Sequence, residues 1–351
     1  MSAVRDAAGP PVLLEIKGLA VDYGTGASAV HAVNSVDLVI RRGEAVGIAG
    51  ESGSGKSTLA HAVARLLREP ARTSAGEVWY HPPGGDAPSE PVDVLKLSGR
   101  ALRRFRWREV AVVLQSAMNA LNPVLSVRAQ LTDVLRAHQP ELGRAQRVAR
   151  AAELLEAVGV SPDRLSAYPH ELSGGMRQRT VIAMALALRP RLIIMDEPTT
   201  ALDVVTQRQI VDELSSLRRQ FGFAMIFITH DLSLLLETAD TIAVMYAGRV
   251  VEHASADDIH RRPAHPYTVG LLNSFPPLSG PRRTLTGIPG TPPDMRRLGP
   301  GCPFAPRCSR ADSTCRQQLP EPAAPVQPAE GPVRVVACFH SHIGIAMEVS
   351  P

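Results

Sequence analysis

Gly50-Glu51-Ser52-Gly53-Ser54-Gly55-Lys56-Ser57 follows a short apolar run, Ala45 to Ala49, and opens a helical stretch, Ser57 to Leu67. The string fits G-x-x-x-x-G-K-[ST], a loop between a strand and a helix whose glycines let several backbone N–H groups converge on an anion. In such a loop Lys56 reaches the β- and γ-phosphates of a nucleotide as a point charge, and the Ser57 hydroxyl is a Mg²⁺ ligand. Gly50, Ser52, Gly53, Ser54, Gly55 and Thr58 complete the expected phosphate cradle. The 351-residue chain has only three lysines, Lys17, Lys56 and Lys96, among 38 basic residues. A lysine in so arginine-biased a chain points to a compact ammonium at 56, where a guanidinium fork would not fit.

Downstream, Leu192-Ile193-Ile194-Met195 runs into Asp196-Glu197. Four apolar residues ending in carboxylates read as a buried parallel strand with its chemistry at the carboxyl end. Because successive side chains leave a strand on opposite faces, Asp196 faces the Mg²⁺ and Glu197 the attacking water. An acidic helix N-cap ahead of Pro198 is the alternative, secondary behind a P-loop. Two more apolar runs end in polar residues: Val110 to Leu114 before Gln115, and Ala224 to Thr229 before His230.

Composition places a class around these motifs. Hydrophobic residues make up 44% of the chain, enough for a real core in one domain plus an appendage. No run approaches about 18 apolar residues, so no membrane span is expected. Glu15 and Lys17 interrupt the apolar patch near the N-terminus, so no signal peptide is expected either. The net charge of +4 raises the question of nucleic acid, but the arginines are scattered. The dense run Arg100 to Arg108 reads as one face of an amphipathic helix, and two tryptophans leave little to stack on bases. No nucleic-acid partner is expected.

Residues 12–115 read as antiparallel strands leading into the P-loop strand and helix, with a Pro/Gly-rich hairpin insertion from His81 to Pro91. From 116 to 172 the pattern is helical: Val127 to Ala137, then Arg144 to Val158 with Gly159 as a stop. Residues 173–259 alternate strands and helices, and beyond His260 the chain is Pro-rich and holds all four cysteines.

Leu172-Ser173-Gly174-Gly175-Met176, together with the P-loop, resembles the ATP-binding cassette (ABC) family. There the signature string of one subunit closes over the γ-phosphate held by its partner. The resemblance implies an α/β fold: a parallel-sheet core, an antiparallel β subdomain, a helical subdomain at about 116–172, and a cassette spanning 12–259. It implies that Gln115 is the Q-loop glutamine, which contacts Mg²⁺ and water, and that His230 is the switch histidine bridging γ-phosphate and Glu197. By the same resemblance Tyr23 stacks on adenine, Asp203 belongs to the D-loop at the dimer interface, and Ser173, Gly174, Gly175 and Gln178 act on the partner's nucleotide.

Asn119-Ala120-Leu121-Asn122-Pro123-Val124, Met245-Tyr246-Ala247-Gly248-Arg249 and His265-Pro266-Tyr267-Thr268 are similar to strings in the ATP-binding subunits of oligopeptide and dipeptide permeases. Ser116-Ala117 departs from the Asp-Pro that many relatives carry after the glutamine. The resemblance implies an ATPase of an importer at the cytoplasmic face of the membrane. Its expected partners are a second homologous ATPase, two membrane permease subunits and an extracytoplasmic binding protein. Related importers carry nickel or oligosaccharides, and other cassettes act as soluble modules without a transporter; both remain alternatives.

Cys302, Cys308, Cys315 and Cys338 form a group in residues 260–351, a tail with little core of its own. An enzyme using ATP without a signal peptide sits in a reducing compartment, so disulfides are not expected. Clustering argues for a metal staple. Spacing alone leaves zinc and a [4Fe–4S] cluster open. The resemblance to permease subunits implies the [4Fe–4S] cluster, with Zn²⁺ as the alternative. The tail is expected to stand outside the catalytic motifs, so that changes in it leave nucleotide binding largely intact.

Overall fold

The computed structural model describes residues 10–83, 90–115, 120–199, 202–274, 287–323 and 334–341. They fall into two units: Met1–Leu95 with Thr229–Pro351, and Lys96–Ile228. The chain starts in the first unit with β1 (Val12–Tyr23), β2 (Val30–Arg41), β3 (Ala45–Ala49), α1 (Lys56–Val63), β4 (Ala71–Tyr80) and β5 (Val92–Asp93). β1 pairs antiparallel with β2 on one side and β4 on the other, and β5 extends the sheet beyond β4. The strands form because apolar residues such as Leu14, Ile16, Leu19 and Val21 are removed from water together. Of the expected hairpin insertion, β4 and β5 are its paired flanks, while 84–89 lie outside the described residues.

The helix after the P-loop ends four residues earlier than its apolar pattern suggests. Arg65 turns left-handed (φ +58°), its N–H donates to the carbonyl of Ala62, and that of Leu66 donates to His61. These two bonds are a Schellman stop, which satisfies carbonyls at the helix end.

The second unit contains α2 (Gly99–Arg108), β6 (Val110–Val113), α3 (Val127–His138), α4 (Arg144–Ala157), α5 (Gly174–Leu186), β7 (Leu192–Asp196), α6 (Val204–Phe221) and β8 (Ala224–Ile228). β6, β7 and β8 run parallel, with β7 in the middle and every residue of it buried. α3 and α4 lie within a residue or two of their expected bounds, and Gly159 takes the left-handed conformation after α4 (φ +65°). The expected amphipathic helix at 100–108 is interrupted: Arg106 is extended and Trp107 left-handed (φ +75°). Phe105 is buried while the Trp107 ring packs near His138, 6.0 Å between centroids, as the chain turns into β6.

Back in the first unit come α7 (Leu232–Thr238), β9 (Thr241–Tyr246), β10 (Arg249–Ser255), α8 (Ala256–Arg261), α9 (Pro266–Asn273), α10 (Ser313–Gln317) and β11 (Val335–Val336). β9 lies parallel to β3, and β10 pairs antiparallel with both β9 and β11. The β9–β10 turn, Ala247-Gly248, has positive φ at both positions, the tight turn whose twist suits a two-residue hairpin. No helix among the described residues is long and apolar enough to cross a membrane.

The tail is fastened to this unit by a buried carboxylate. Glu252 on β10 is fully buried and accepts the backbone N–H groups of Ala264 and His265, each at 2.9 Å. Arg334, also buried, lies 3.4 Å from its Oε1. Burial raises the Glu252 carboxyl above its ordinary range, although hydrogen bonds and Arg334 pull it down. Arg334→Met should therefore destabilise the protein by about 3–5 kcal/mol at neutral pH, since it strands a buried charge. A carboxyl raised in the folded state favours folding in acid and loses that contribution as pH rises, and losing Arg334 raises it further. The gap between variant and parent in denaturant midpoint should thus be smaller at pH 5 than at pH 7.5; a gap independent of pH would count against the assignment.

Candidate nucleotide site

The P-loop sits between β3 and α1 in the first unit. Gly50, Gly53 and Gly55 all have positive φ, +147°, +81° and +100°. A Cβ at Gly50 would lie 2.3 Å from the carbonyl oxygen of Met245, and one at Gly55 would lie 2.2 Å from that of Ala32. At Gly53 nothing lies within 4 Å, so the loop is closed on its protein side and open where a ligand would enter. The turn after β9 props the loop from beneath: Gly248 donates to the Ser54 carbonyl at 3.0 Å, and Asn34 donates to that of Gly248 at 2.8 Å.

Lys56 is 7% exposed, with its ammonium donating to the carbonyls of Gly50 and Glu51 at 2.8 and 2.9 Å and lying 3.5 Å from Ser54 Oγ. Ser57 and Thr58 follow on the first turn of α1, and the Tyr23 hydroxyl lies 3.2 Å from Thr58 Oγ1. His230 stands exposed ahead of Asp231, the N-cap of α7.

The carboxylates and the signature lie in the other unit. Asp196 ends β7 and is 1% exposed. Glu197 turns left-handed (φ +48°), and its N–H donates to the carbonyl of Ile228 at 2.9 Å. The turn brings its carboxylate to Gln115, whose Nε2 donates to Oε2 at 2.7 Å. Two residues 82 positions apart are thereby joined, as the parallel pairing of β6 with β7 requires.

Ser173 is exposed and caps α5, accepting from the Met176 N–H at 3.3 Å, with Gly174 and Gly175 in the first turn. Asp203 caps α6, accepting from the Thr206 N–H at 2.9 Å and from its hydroxyl at 2.7 Å; these bonds hold its carboxyl below the ordinary range. Val204 and Val205 beside it are 80% and 68% exposed.

One expected contact is corrected. Gln178 does not stand with Ser173 on the surface: it is 1% exposed. Five positions on from Ser173, at 3.6 residues per turn, its side chain leaves the helix on a different face, toward the interior. Thr200 and Ala201 of the D-loop string, and residues 116–119 after Gln115, lie outside the described residues.

Two residues of the tail, Arg307 and Tyr267, hold the P-loop through Glu51, a role that the motif pattern missed. Glu51 receives the Arg307 guanidinium as a two-pronged pair, 2.6 Å to Oε2 and 2.9 Å to Oε1. Its N–H donates to the Tyr267 hydroxyl at 2.8 Å. The tail thus reaches into the catalytic motifs, contrary to the expectation that it stands apart. The one sequence signal was an acidic residue inside a phosphate loop, which calls for a cation nearby.

All four cysteines are free thiols. Cys302, Cys308, Cys315 and Cys338 line a single cavity with Phe304 and His340. Cys302 N–H donates to the Cys315 carbonyl at 2.8 Å, fastening the two loops that carry them. Burial pushes the Cys338 thiol up to about 11, and the other three thiols add to the rise. Burial raises Cys302 and Cys315 too.

A P-loop, a carboxylate-tipped strand and a capped Ser-Gly-Gly helix define a nucleotide-hydrolysing cassette. A family profile described as ABC transporter matches residues 33–200, and one for the C-terminal region of oligopeptide/dipeptide transporters matches 251–315. The oligopeptide transport ATP-binding protein OppD of Salmonella typhimurium is 42% identical over 330 residues, 93% of each chain. A putative peptide import ATP-binding protein of Brucella melitensis is 43% identical over 91% of this chain and 95% of its own. Among solved structures, the dimeric post-hydrolysis ATP-binding cassette MJ0796 bound to ADP and Pi has a TM-score of 0.60 and 28% identity, covering 70% of this chain and 99% of its own. The chain belongs to the ABC transporter ATPases, in their oligopeptide/dipeptide permease branch.

Gly55→Ala should weaken ATP binding at least about tenfold, because the new methyl meets a backbone carbonyl that cannot move aside. Gly43→Ala is the control: it has a similar positive φ (+71°) but open space around it, so it carries backbone strain alone. Equilibrium titration with a fluorescent ATP analogue compares the two; equal affinities would contradict the steric reading.

Proposed function

We propose that this chain is the ATP-hydrolysing subunit of an importer that carries oligopeptides or dipeptides across the cytoplasmic membrane. One observation carries the reading: relatives named for peptide import match it at 42–43% identity across both cassette and tail. In this reading Lys56 and the P-loop amides bind the phosphates, and Glu197 accepts the proton of the attacking water. Gln115, 2.7 Å from Glu197, orients that carboxylate, and His230 contacts the γ-phosphate. The exposed Ser173 with Gly174 and Gly175 acts on the nucleotide of a second cassette, and Asp203 belongs to the same interface. The dimeric form of the solved relative supports a two-cassette assembly. Two permease subunits and an extracytoplasmic binding protein complete the machine.

Ser57, Asp196 and Gln115 offer the hard oxygen donors that Mg²⁺ prefers and would hold it; the ion neutralises charge on the phosphates. The four thiols lining one cavity are a soft donor set that suits a [4Fe–4S] cluster or zinc. We assign the cluster, with a structural role. Anaerobic purification should give a brown protein with about four irons per chain. A colourless protein with about one zinc would identify the alternative.

Glu197→Gln, in the transporter assembled with its membrane subunits, should still bind ATP and lose at least about a hundredfold in turnover, because an amide accepts no proton from water. Phosphate release, retained nucleotide and peptide uptake are the readouts. Turnover equal to the parent's would remove Glu197 from the mechanism, and ATP-driven uptake of another solute with none of peptide would remove the cargo.

A further inference from the structure

Glu51 poses an electrostatic problem. It is the first variable residue of the P-loop, a carboxylate on a loop built to receive a polyanion, where a like charge opposes binding. The tail supplies the answer. Arg307 is 5% exposed at its side chain, and its donors converge on Glu51 and on backbone carbonyls. Besides the two bonds to Glu51, Nε donates to the Pro289 carbonyl at 2.8 Å, Nη2 lies 3.4 Å from that of Ile288, and Nη1 lies 3.3 Å from the Tyr246 hydroxyl. A two-pronged guanidinium–carboxylate pair fixes direction as well as charge.

The backbone that carries Arg307 belongs to the cysteine loop. Arg307 ends a single 3-10 turn, Ala305–Arg307, bracketed by Cys302 and Cys308. Its N–H donates to the Phe304 carbonyl at 2.9 Å, and that of Cys308 donates to Ala305 at 3.3 Å. Phe304 meets the rings of Tyr246 and Tyr267 edge-on, at 5.2 and 5.4 Å between centroids. Tyr267 in turn accepts the Glu51 N–H. Every step from the thiol-lined cavity to the P-loop is a contact within one unit.

We propose that Arg307 is a positioning residue for ATP binding: it neutralises Glu51 and draws its carboxylate out of the phosphate site, and the order of the cysteine loop controls it. The proposal rests on the P-loop reading above. Without Arg307 the carboxylate is released beside the phosphates, and nucleotide affinity falls through repulsion and not through loss of a direct contact. Disorder in the loop between Cys302 and Cys308 has the same effect, which makes ATP affinity sensitive to the state of the four thiols.

The test is equilibrium binding of a fluorescent ATP analogue to the purified full chain at low and high salt. Arg307→Met, which fills the buried space, should weaken binding roughly tenfold at low salt, and the loss should shrink at high salt, where charge repulsion is screened. Arg307→Gln serves where the methionine variant does not fold and is read by the same criteria. In a Glu51→Gln background the same Arg307 substitution should cost no more than about twofold, because the offending charge is gone. Unchanged affinity in Arg307→Met, or an undiminished loss in the Glu51→Gln background, overturns the proposal; a merely structural arginine gives the latter. Cys302→Ser with Cys308→Ser should weaken binding in the same Glu51-dependent way, and unaltered affinity there overturns the link to the cysteine loop. Lys56→Ala separates the two levels: if it binds ATP like the parent, the P-loop reading itself has failed, whatever Arg307 does.

Discussion

Two carbonyl oxygens, those of Met245 and Ala32, press on the P-loop so closely that Gly50 and Gly55 have no room for a methyl group. Several elements of the first unit serve that contact. β3 and β9 lie side by side, so that the end of β9 meets the start of the loop. The Ala247-Gly248 turn is tight enough to place one N–H on Ser54, and β2 brings Ala32 against Gly55. A loop held this way has little room to change its backbone conformation.

The second unit solves a different problem with the same means. Glu197 must leave a buried strand for the surface of the unit, and its left-handed backbone after Asp196 turns the chain at once. The cost of that backbone geometry is of order 1–2 kcal/mol. It is offset by the N–H bond to Ile228 and the Gln115 contact. Ser173 and Asp203 both cap helices while standing at the surface, so each polar side chain is oriented by its own backbone before any partner arrives.

Between the tail and the P-loop the governing term is desolvation. Arg307 and Glu252 are charges taken out of water, and each is tolerable only because its partner is fixed by independent packing. That makes the tail an integral part of the first unit. The four thiols lie on the loops on which Arg307 depends, in a region whose short helices and single-turn segments contribute little core.

The order of motifs along the chain determined the class of fold and named most of the residues of the candidate site. Local patterns sufficed because the P-loop, the run into Asp196-Glu197 and the Ser-Gly-Gly helix start are contiguous strings whose chemistry depends on neighbours in sequence. Helices α3 and α4 were legible from periodicity and a stop glycine. Tertiary structure alone decided the rest. It shortened α1, since the left-handed Arg65 wins over an apolar pattern that runs on to Leu67. It buried Gln178, because five positions along a helix from Ser173 bring a side chain out on a different face. It paired Glu51 with Arg307, 256 positions away, which no spacing rule encodes. Such a pair follows only from the energy of burying a guanidinium, and that is known once the chain has closed around it.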